Sequence, residues 1–554
     1  MKKIILKHAL INALEHNGKA LVEPVISKVL GEKPELKKNV KEVIKIATEI
    51  VRQINNLTLE QQKNELEKLG AKIEKKIKKE KELEPLPNVE KYKKVILRIA
   101  PYPSGPLHIG NARAAILNDE YRKKYKGKLY LVIDDTIGSE EKFILPESYE
   151  LIIDGLKWLG VKWDKLIYKS DRNKIFYEYA KKLIKLGAAY VCECNAEILR
   201  KNRIKGIECQ HRKQSVEENL EKFEKMLNGF YKEGEAVVRL KTDMKHPDPA
   251  FRDRVLLRIS EREHPRVGKK YRVWPLLEFS WAIDDHLLKI THIIRGKELM
   301  MEGMVEEYIW NIFGWKKPEI IYYGLLNIEG LKLSKTDARK AIEKGIYSGW
   351  DDPRTWSLQS LRKRGIQPDA IRKFILNIGL SEADINVPAE ILYAENRRII
   401  DSKANRYFCV INPIKISIKN CSEIKNVKTP YHPDFPKRGK KEIPVNVNKI
   451  YIENEDYINF KNREIRLIDL FNIKIGKNVE FCGNELKDIP KIQWVSEPNV
   501  KIKIIMPDGS VKIGLAEPSI NKLKIGDIVQ FIRVGFARFD RIEKDMPVFY
   551  FGHR

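Results

Sequence analysis

The sequence is poor in cysteine, and it has no long apolar run and no phosphate-loop motif. Six cysteines in 554 residues are too few for a disulfide framework and favour a reducing compartment. There is no run of about eighteen apolar residues and no apolar signal-peptide core, so we expect a soluble cytoplasmic protein without membrane association. Because Gly-x-x-x-x-Gly-Lys-Ser/Thr is also missing, a phosphate-loop ATPase is disfavoured.

Acidic residues are outnumbered by basic ones. The chain has 105 Lys and Arg against 77 Asp and Glu, a formal net charge of +28. Such a surplus favours a polyanionic partner, because neutralising phosphates releases their counterions. A membrane surface is the competing partner on charge alone. The length predicts several domains, and 43% hydrophobic residues are enough to fill their cores.

The most informative segment is Leu97 to Arg113, LRIAPYPSGPLHIGNAR. Val95 to Ala100 predicts a buried strand, Pro101 to Pro106 a turn, and Asn111 onward a helix. His108 and Gly110 then lie at a helix N-terminus, where backbone N–H groups favour a phosphate. A bare His-x-Gly is usually an ordinary surface feature, but the complete segment favours an ATP site.

A second motif lies more than two hundred residues downstream, at Lys332 to Thr336 (KLSKT). Alone, Lys-x-Ser-Lys is common surface sequence. Its position after the first motif, and its distance from it, favour a functional role for this segment.

The two motifs resemble the HIGH and KMSKS signatures of class I aminoacyl-tRNA synthetases, in the form of the glutamyl and glutaminyl branch. The first motif departs from the signature at Asn111, where histidine is usual, and Asn keeps a hydrogen-bond donor. The resemblance implies catalytic roles for His108, Lys332 and Lys335, with Lys335 stabilising the charge that develops on pyrophosphate. It also implies an ATP site, with Mg²⁺ accompanying ATP, formed by Pro103, Ser104, Gly105, His108, Gly110, Asn111, Ser334 and Lys335.

The resemblance also implies a glutamate pocket. A buried carboxylate needs a cationic partner, and Arg98 and Arg295 are the candidates. Arg295 lies in THIIRGKE, which is similar to the Thr-His-x-x-Arg-Gly-Lys element of archaeal-type glutamyl enzymes. The arginine in this element favours glutamate over glutamine as the substrate. Asp134 is predicted to receive the substrate ammonium group, although such a residue could equally cap the next helix. Leu277 stands where the family usually has tyrosine.

Cys192, Cys194, Cys209 and His211 form a Cys-x-Cys and Cys-x-His set. Three thiols and an imidazole suit tetrahedral zinc, and a similar set is found in some glutamyl enzymes. The sequence leaves open whether zinc is bound or whether these are reduced cysteines that are merely close together.

Together these features predict a multidomain protein built on an α/β Rossmann-like catalytic domain. Residues 1–90 are expected to form a basic helical appendage that either touches tRNA or is a solvated bundle. We predict catalytic halves at 91–190 and 290–348, an inserted acceptor-binding domain at 191–289, a helical connector at 349–404 and anticodon-binding β-barrels at 405–554. Near the C-terminus, cationic and aromatic side chains alternate, and they would either bind anticodon bases or belong to the core and surface of a barrel. These residues are Arg533, Phe536, Arg538 and Phe539.

The resemblance implies a monomeric ligase that makes glutamyl-adenylate from glutamate and ATP and transfers it to tRNA(Glu). Whether tRNA(Gln) also receives glutamate stays open. The alternatives are a glutaminyl-tRNA synthetase and a catalytically silent tRNA-binding paralogue.

Overall fold

The computed structural model describes residues 1–15, 18–69, 82–137, 143–331 and 333–554. The chain divides into two compact units, Met1–Glu80 and Lys81–Arg554, each treated by itself below. No helix among the described residues is long and apolar enough to cross a bilayer.

The N-terminal unit is helical in its described part. Its helices are α1 (Lys2–Glu15), α2 (Val22–Glu32), α3 (Val40–Ile54) and α4 (Leu59–Lys68), packed around buried aliphatic side chains that include Ile5, Val25 and Val43. The Thr58 hydroxyl accepts from the Gln61 N–H, and the Gln61 side chain accepts from the Thr58 N–H, a capping box that starts α4. Leu66 is buried as its helical spacing predicts, whereas Ile73 and Ile77 lie outside the described residues.

A parallel sheet opens the larger unit. Strands β1 (Ile96–Ile99), β2 (Lys128–Ile133) and β3 (Lys165–Tyr168) pair in that order. The helices between and after them are α5 (Ile109–Lys124), α6 (Pro146–Trp158) and α7 (Asn173–Lys185). The predicted strand, turn and helix of the first motif are therefore confirmed, with the helix starting two residues earlier than expected.

A second parallel pair extends this layer. The Ile96 N–H donates to the Thr291 hydroxyl, and the Thr291 N–H donates to the Ile96 carbonyl, which holds the start of β8 (His292–Gly296) beside β1. β8 pairs in parallel with β9 (Glu319–Tyr323), and α11 (Met300–Phe313) connects them. Because parallel strands end at one edge, the segments after β1 and β8 face a common crevice.

An antiparallel layer lies between the two parallel parts in sequence. It consists of β4 (Ala189–Cys192), β5 (Val237–Leu240), β6 (Val255–Ile259) and β7 (Val273–Pro275). Helices α8 (Ala196–Lys205) and α9 (Val216–Leu227) accompany it, and α10 (Leu277–Leu287) leads back to β8. Its apolar face shares one core with β2 and α7. The layer falls where the inserted domain is expected, although the domain boundaries stay predictions.

Helices dominate the region after β9. The elements are β10 (Leu326–Ile328), α12 (Lys335–Glu343), α13 (Leu358–Lys363), α14 (Pro368–Ile378), β11 (Ile385–Val387) and α15 (Ala389–Ile400). β10 and β11 pair in parallel. α13, α14 and α15 share the core of β1, β2 and α5, so this region packs directly on the first parallel sheet.

The remainder is β-rich, as predicted, with a barrel-like sheet. Val500–Ile505 and Val511–Ala516 form the hairpin that the alternating apolar pattern predicts from Val500, and the Gly509 N–H closes its turn on the Met506 carbonyl. Among the described residues this region has four sheets: one of seven strands that includes this hairpin, and others of five, three and two strands. Their bounds are β12 (Asn405–Tyr407), β13 (Cys409–Ile411), β14 (Pro413–Ile416), β15 (Ile418–Lys419), β16 (Asn426–Pro430), β17 (Lys440–Pro444), β18 (Ile450–Glu453), α16 (Asn454–Asn459), β19 (Glu464–Leu467), β20 (Asn472–Ile475), β21 (Val479–Phe481), β22 (Lys491–Ile492), β23 (Val495–Ser496), β24 (Val500–Ile505), β25 (Val511–Ala516), β26 (Ile528–Phe531), β27 (Gly535–Glu543) and β28 (Met546–His553).

The basic and aromatic residues near the C-terminus divide between core and surface. Phe536 and Phe539 are buried in the sheet, Arg533 pairs with Asp456, and Arg538 pairs with Asp540. The structure therefore favours the core-and-surface interpretation of these four residues over a set of free base-stacking side chains.

The β16–β17 hairpin offers a test of the barrel region's stability. The Lys441 ammonium and the Glu517 carboxylate are both buried and lie 2.7 Å apart, and Glu517 also accepts from the Phe408 N–H. Lys441→Met leaves that carboxylate unpaired and should cost about 3–5 kcal/mol. Chemical denaturation followed by tryptophan fluorescence measures the effect.

The matched control is Lys428→Met on the neighbouring strand. Lys428 and Glu442 lie 3.3 Å apart, with side chains 69% and 58% exposed, so their loss should cost less than about 1 kcal/mol. Equal effects of the two substitutions would contradict the assigned importance of the buried pair.

Candidate active site

A cavity of about 680 Å³ opens where β1 and β8 end. Its lining draws on both sequence motifs and on the segments after both parallel pairs. The polar and aromatic residues in its wall are Arg98, Tyr102, Ser104, His108, Asn111, Arg113, Trp281, Arg295, Glu298, Tyr323, Asn327 and Lys335. Glu298 is the one acidic side chain among the described residues of this wall, so most of the charged side chains that line the cavity are cationic.

His108 is the N-cap of α5. Its Nδ1 accepts from the Gly110 N–H at 3.1 Å, and the Asn111 side-chain oxygen accepts from the His108 N–H at 3.3 Å. Burial, with a smaller contribution from the Lys335 charge, lowers the pKa of His108 to about 3. The ring is therefore neutral, and because Nδ1 is an acceptor, Nε2 carries the proton. A neutral N–H donor at a helix N-terminus suits a phosphate oxygen.

Lys335 brings the second motif into the same cavity. Its Nζ donates to the Gly105 carbonyl at 3.4 Å, across 230 residues of sequence. Burial lowers the pKa of Lys335 to about 8, so the group is still mainly charged at neutral pH. Lys332, the other lysine predicted from this motif, lies outside the described residues.

The turn between β1 and α5 is held by contacts with Trp350 and Leu358. Gly105 has φ +147°, and a Cβ there would lie 2.9 Å from the Trp350 ring, so only glycine fits. The Leu358 N–H donates to the Leu107 carbonyl at 2.8 Å, beside the start of α5. Sequence reasoning did not identify Trp350, because nothing local connects it with the turn.

The remaining predicted ATP residues divide into two groups. Ser104 and Gly110 line the cavity with Asn111. Pro103 and Ser334 shape the backbone instead, since the Pro103 carbonyl accepts from the Leu145 N–H and the Ser334 hydroxyl accepts from the Asp337 N–H to cap α12.

Arg98 and Arg295 both reach the cavity, and each is already paired with a buried carboxylate. Arg98 donates to Asp285 at 2.8 Å, and Arg295 donates to Glu306 at 2.8 and 3.1 Å. Their guanidinium carbons lie 4.3 and 5.3 Å from the centre of the Trp281 ring. Burial raises the pKa of Glu306 to about 7 even beside this cation. Sequence reasoning did not identify Glu306. The signal that could have found it is an acidic residue on the buried face of α11.

Asp134 occupies a different setting from the one predicted. Its carboxylate lies 3.2 Å from the Lys169 Nζ, both side chains are buried, and neither residue is part of the cavity wall. Its assignment to the substrate ammonium group stays a prediction.

The cysteine set converges on one point at the edge of the antiparallel layer. The ligand atoms of Cys192, Cys194, Cys209 and His211 all lie within 4.8 Å of one another. The Sγ atoms of Cys192 and Cys209 are 3.7 Å apart, too far for a disulfide. His211 presents Nδ1 to the thiols, and its Nε2 lies 3.5 Å from Glu193.

Comparison with protein families identifies most of the larger unit. Residues 94–401 match the model for "tRNA synthetases class I (E and Q), catalytic domain", and residues 404–489 and 491–540 match two anti-codon binding domain models of the same group. The chain belongs to this family. The resemblance carried by the two motifs is thereby confirmed.

Curated relatives match along the full chain. A glutamate–tRNA ligase of Pyrococcus furiosus is 47% identical over 579 residues, and one of Methanocaldococcus jannaschii is 44% identical over 565 residues. Both alignments cover 100% of this chain and of the relative. A solved glutamate tRNA ligase from Elizabethkingia meningosepticum is 22% identical, covers 56% of this chain and 71% of that chain, and has a TM-score of 0.40.

Proposed function

We propose that this chain is a glutamate–tRNA ligase, which activates glutamate with ATP and transfers it to the 3′-terminal adenosine of tRNA(Glu). The observation that carries the proposal is the 3.4 Å approach of the Lys335 Nζ to the Gly105 carbonyl. This contact joins the cation of one motif to the turn of the other, which we propose binds the phosphates. The full-length similarity to glutamate–tRNA ligases supports the same reaction.

The first half-reaction depends on positioning of the substrates and on electrostatic stabilisation, and it requires no protein nucleophile. The glutamate α-carboxylate attacks the α-phosphorus of ATP, and pyrophosphate leaves. His108 would donate from Nε2 to a phosphate oxygen, and Lys335 would neutralise the charge that develops on the leaving pyrophosphate. The described wall supplies a single carboxylate, Glu298, so Mg²⁺ would enter bound mainly to the phosphates.

Selection of glutamate would rest on Arg98 and Arg295. Arg295 lines the cavity beside Arg98, and its two terminal nitrogens are held by Glu306, so its cation is fixed where a substrate carboxylate would approach. Burial strengthens such a charge-assisted bond. The neutral amide of glutamine would gain less there, which favours glutamate over glutamine.

The tRNA would lie along the rest of the larger unit. We propose that the parallel layers of 91–190 and 290–348 form a Rossmann-like catalytic domain and that residues 191–289 hold the acceptor end. Residues 349–404 would connect them to the anticodon-binding region at 405–554. We further propose a cytoplasmic monomer.

The Cys192, Cys194, Cys209 and His211 set is proposed to hold a structural zinc ion. A tetrahedral site with Zn–S bonds of about 2.3 Å has sulfurs about 3.8 Å apart, close to the 3.7 Å between Cys192 and Cys209. The Glu193 carboxylate beside the far nitrogen of His211 is the type of neighbour that orients a metal-bound imidazole.

Aminoacylation of purified isoacceptors tests the function directly. With labelled glutamate, tRNA(Glu) should be charged, whereas labelled glutamine should give no product. Charging of tRNA(Gln) with glutamate would widen the tRNA specificity. Product with glutamine alone would establish a glutaminyl enzyme instead, and tRNA binding without either product would establish a silent paralogue.

Lys335→Ala should lower the rate of ATP–pyrophosphate exchange by roughly 100-fold, as expected when one group that stabilises transition-state charge is removed. The affinity for tRNA should change little. In the wild-type enzyme, kcat/KM for ATP should fall as the pH rises past about 8, because Lys335 then loses its proton.

Two further variants are the controls for Lys335. Lys335→Arg keeps its charge and should remove the decline above pH 8. Lys340→Ala changes an exposed lysine of the same helix and should leave the rate as it is. An unaltered exchange rate in Lys335→Ala would remove Lys335 from its role.

Metal analysis of the purified protein should find one zinc per chain. Cys194→Ser should lower that content, since one of four ligands is lost, while the scattered Cys421→Ser should not. Less than about half an equivalent in the wild-type protein would favour reduced cysteines without a metal.

A further inference from the structure

Trp350 covers the turn between β1 and α5 from outside the cavity. A Cβ on Gly105 would lie 2.9, 3.2 and 3.3 Å from three atoms of the six-membered ring of Trp350, so the edge of the indole lies against the glycine. The carbonyl of Gly105 accepts from the Lys335 Nζ at 3.4 Å, while Trp350 is not part of the cavity wall. Trp350 therefore contacts the residue that joins the two motifs, at a place where it would not touch a substrate.

The loop that carries Trp350 also holds the other end of the turn. Two backbone hydrogen bonds, of 2.8 and 3.3 Å, join residues 356–358 to residues 107–109. The Ser357 hydroxyl donates to the Trp350 carbonyl at 2.7 Å, which ties the indole to this backbone pairing. One loop therefore supports the turn at both of its ends.

Ion pairs on the far side fix this loop. Lys363 donates to Asp351 at 2.6 Å, and Arg354 donates to Asp352 at 2.8 Å. Arg354 also lies against Gly509 in the β24–β25 turn, where a Cβ would be 2.7 Å from the Arg354 Nε. These contacts set the position of the indole without using any group of the cavity wall.

A second cavity lies on the outer side of the tryptophan. It has a volume of about 500 Å³, and Trp350 lines it together with Arg362, Lys363 and Arg538. The three atoms nearest to a Cβ on Gly105 all belong to Trp350. Removal of the ring would therefore leave open space beside Gly105, and the turn would be free to shift into it.

We propose that Trp350 is a positioning residue for the turn that binds the phosphates of ATP. It keeps Gly105 where its carbonyl meets Lys335 and where the first N–H groups of α5 face the cavity. A displacement of about 1 Å in such a turn can lower the rate by about 100-fold. The consequence for ATP rests on the proposed function, whereas the contact between Trp350 and the turn does not.

Trp350→Ala should raise the KM for ATP about tenfold, measured by ATP–pyrophosphate exchange with saturating tRNA(Glu). The KM for glutamate should stay within about twofold of wild type, because Arg98 and Arg295 lie on strands and not in the turn. Trp350→Phe keeps part of the ring volume and should give a smaller rise, of about threefold. It also tests the proposal if Trp350→Ala fails to fold.

The matched control is Trp315→Ala. Trp315 is also half-buried, its ring stacks on His286 and Phe313, and it is not part of the cavity wall, so its loss should leave the KM for ATP unchanged. An equal rise of both KM values in the Trp350 variants, or no rise in either, would assign Trp350 a purely structural role and overturn the proposal.

A double-mutant cycle with Gly105→Ala tests the contact from the other side. The added methyl group would meet the Trp350 ring and would also strain the backbone at φ +147°, so exchange should be slower. Trp350→Ala removes the steric part of this loss, and the two effects should therefore be less than additive. Additive effects would mean that the residues act independently, which contradicts the proposal.

Hydrogen–deuterium exchange of the free protein tests the turn without a substrate. In Trp350→Ala, the peptide of residues 101–112 should exchange about threefold or more faster than in wild type, whereas the hairpin of residues 464–475 should be unchanged. Unaltered exchange in the turn would overturn the proposal. If the wild-type enzyme activates no glutamate, the proposed function fails, but this measurement still shows whether Trp350 holds the turn.

Discussion

The balance of buried charge is the constraint on which this active site depends. The cavity collects guanidinium and ammonium groups that water would otherwise solvate, and burying such groups is costly unless each is paired. Buried carboxylates behind the cavity wall offset this penalty. Asp285 pairs with Arg98, and Glu306 pairs with Arg295. Arg113 is held by backbone carbonyls instead, those of Gly324 and Gly379.

The cations that line the cavity therefore differ in how they are paired. The guanidinium groups are fixed by their partners and would suit a small carboxylate that approaches from the open side. Lys335 is different, because within the described part of the chain no carboxylate lies at ion-pair distance from it. Its charge would thus be available for a triphosphate, and the neutral His108 ring would add a hydrogen-bond donor without adding repulsion. Positions are set before substrate arrives, which is the basis of electrostatic catalysis.

Much of the local structure follows from the sequence, while the pairings behind the wall do not. The strand, turn and helix of the first motif and the capping box at Thr58 depend on neighbours in sequence, so their patterns predict them. The partnership of Lys169 with Asp134 joins two strand ends, and that of Trp350 with Gly105 joins segments more than two hundred residues apart. Such contacts depend on tertiary packing, which single-sequence patterns do not encode. The predicted convergence of the two motifs came from family resemblance and is now seen in the geometry.

The unusual pocket wall is also explained by helix geometry. Leu277, which replaces the family's usual tyrosine, is the first residue of α10 and is not part of the cavity wall. Trp281 lies four residues later, and residues at this spacing share one face of a helix. The aromatic surface is therefore supplied one turn further along α10, by a larger ring that two guanidinium groups can approach from the cavity. The Lys169 ammonium also lies 4.9 Å from the centre of this ring, within the range of a cation–π contact, so three cations approach the indole that takes the place of the smaller aromatic ring.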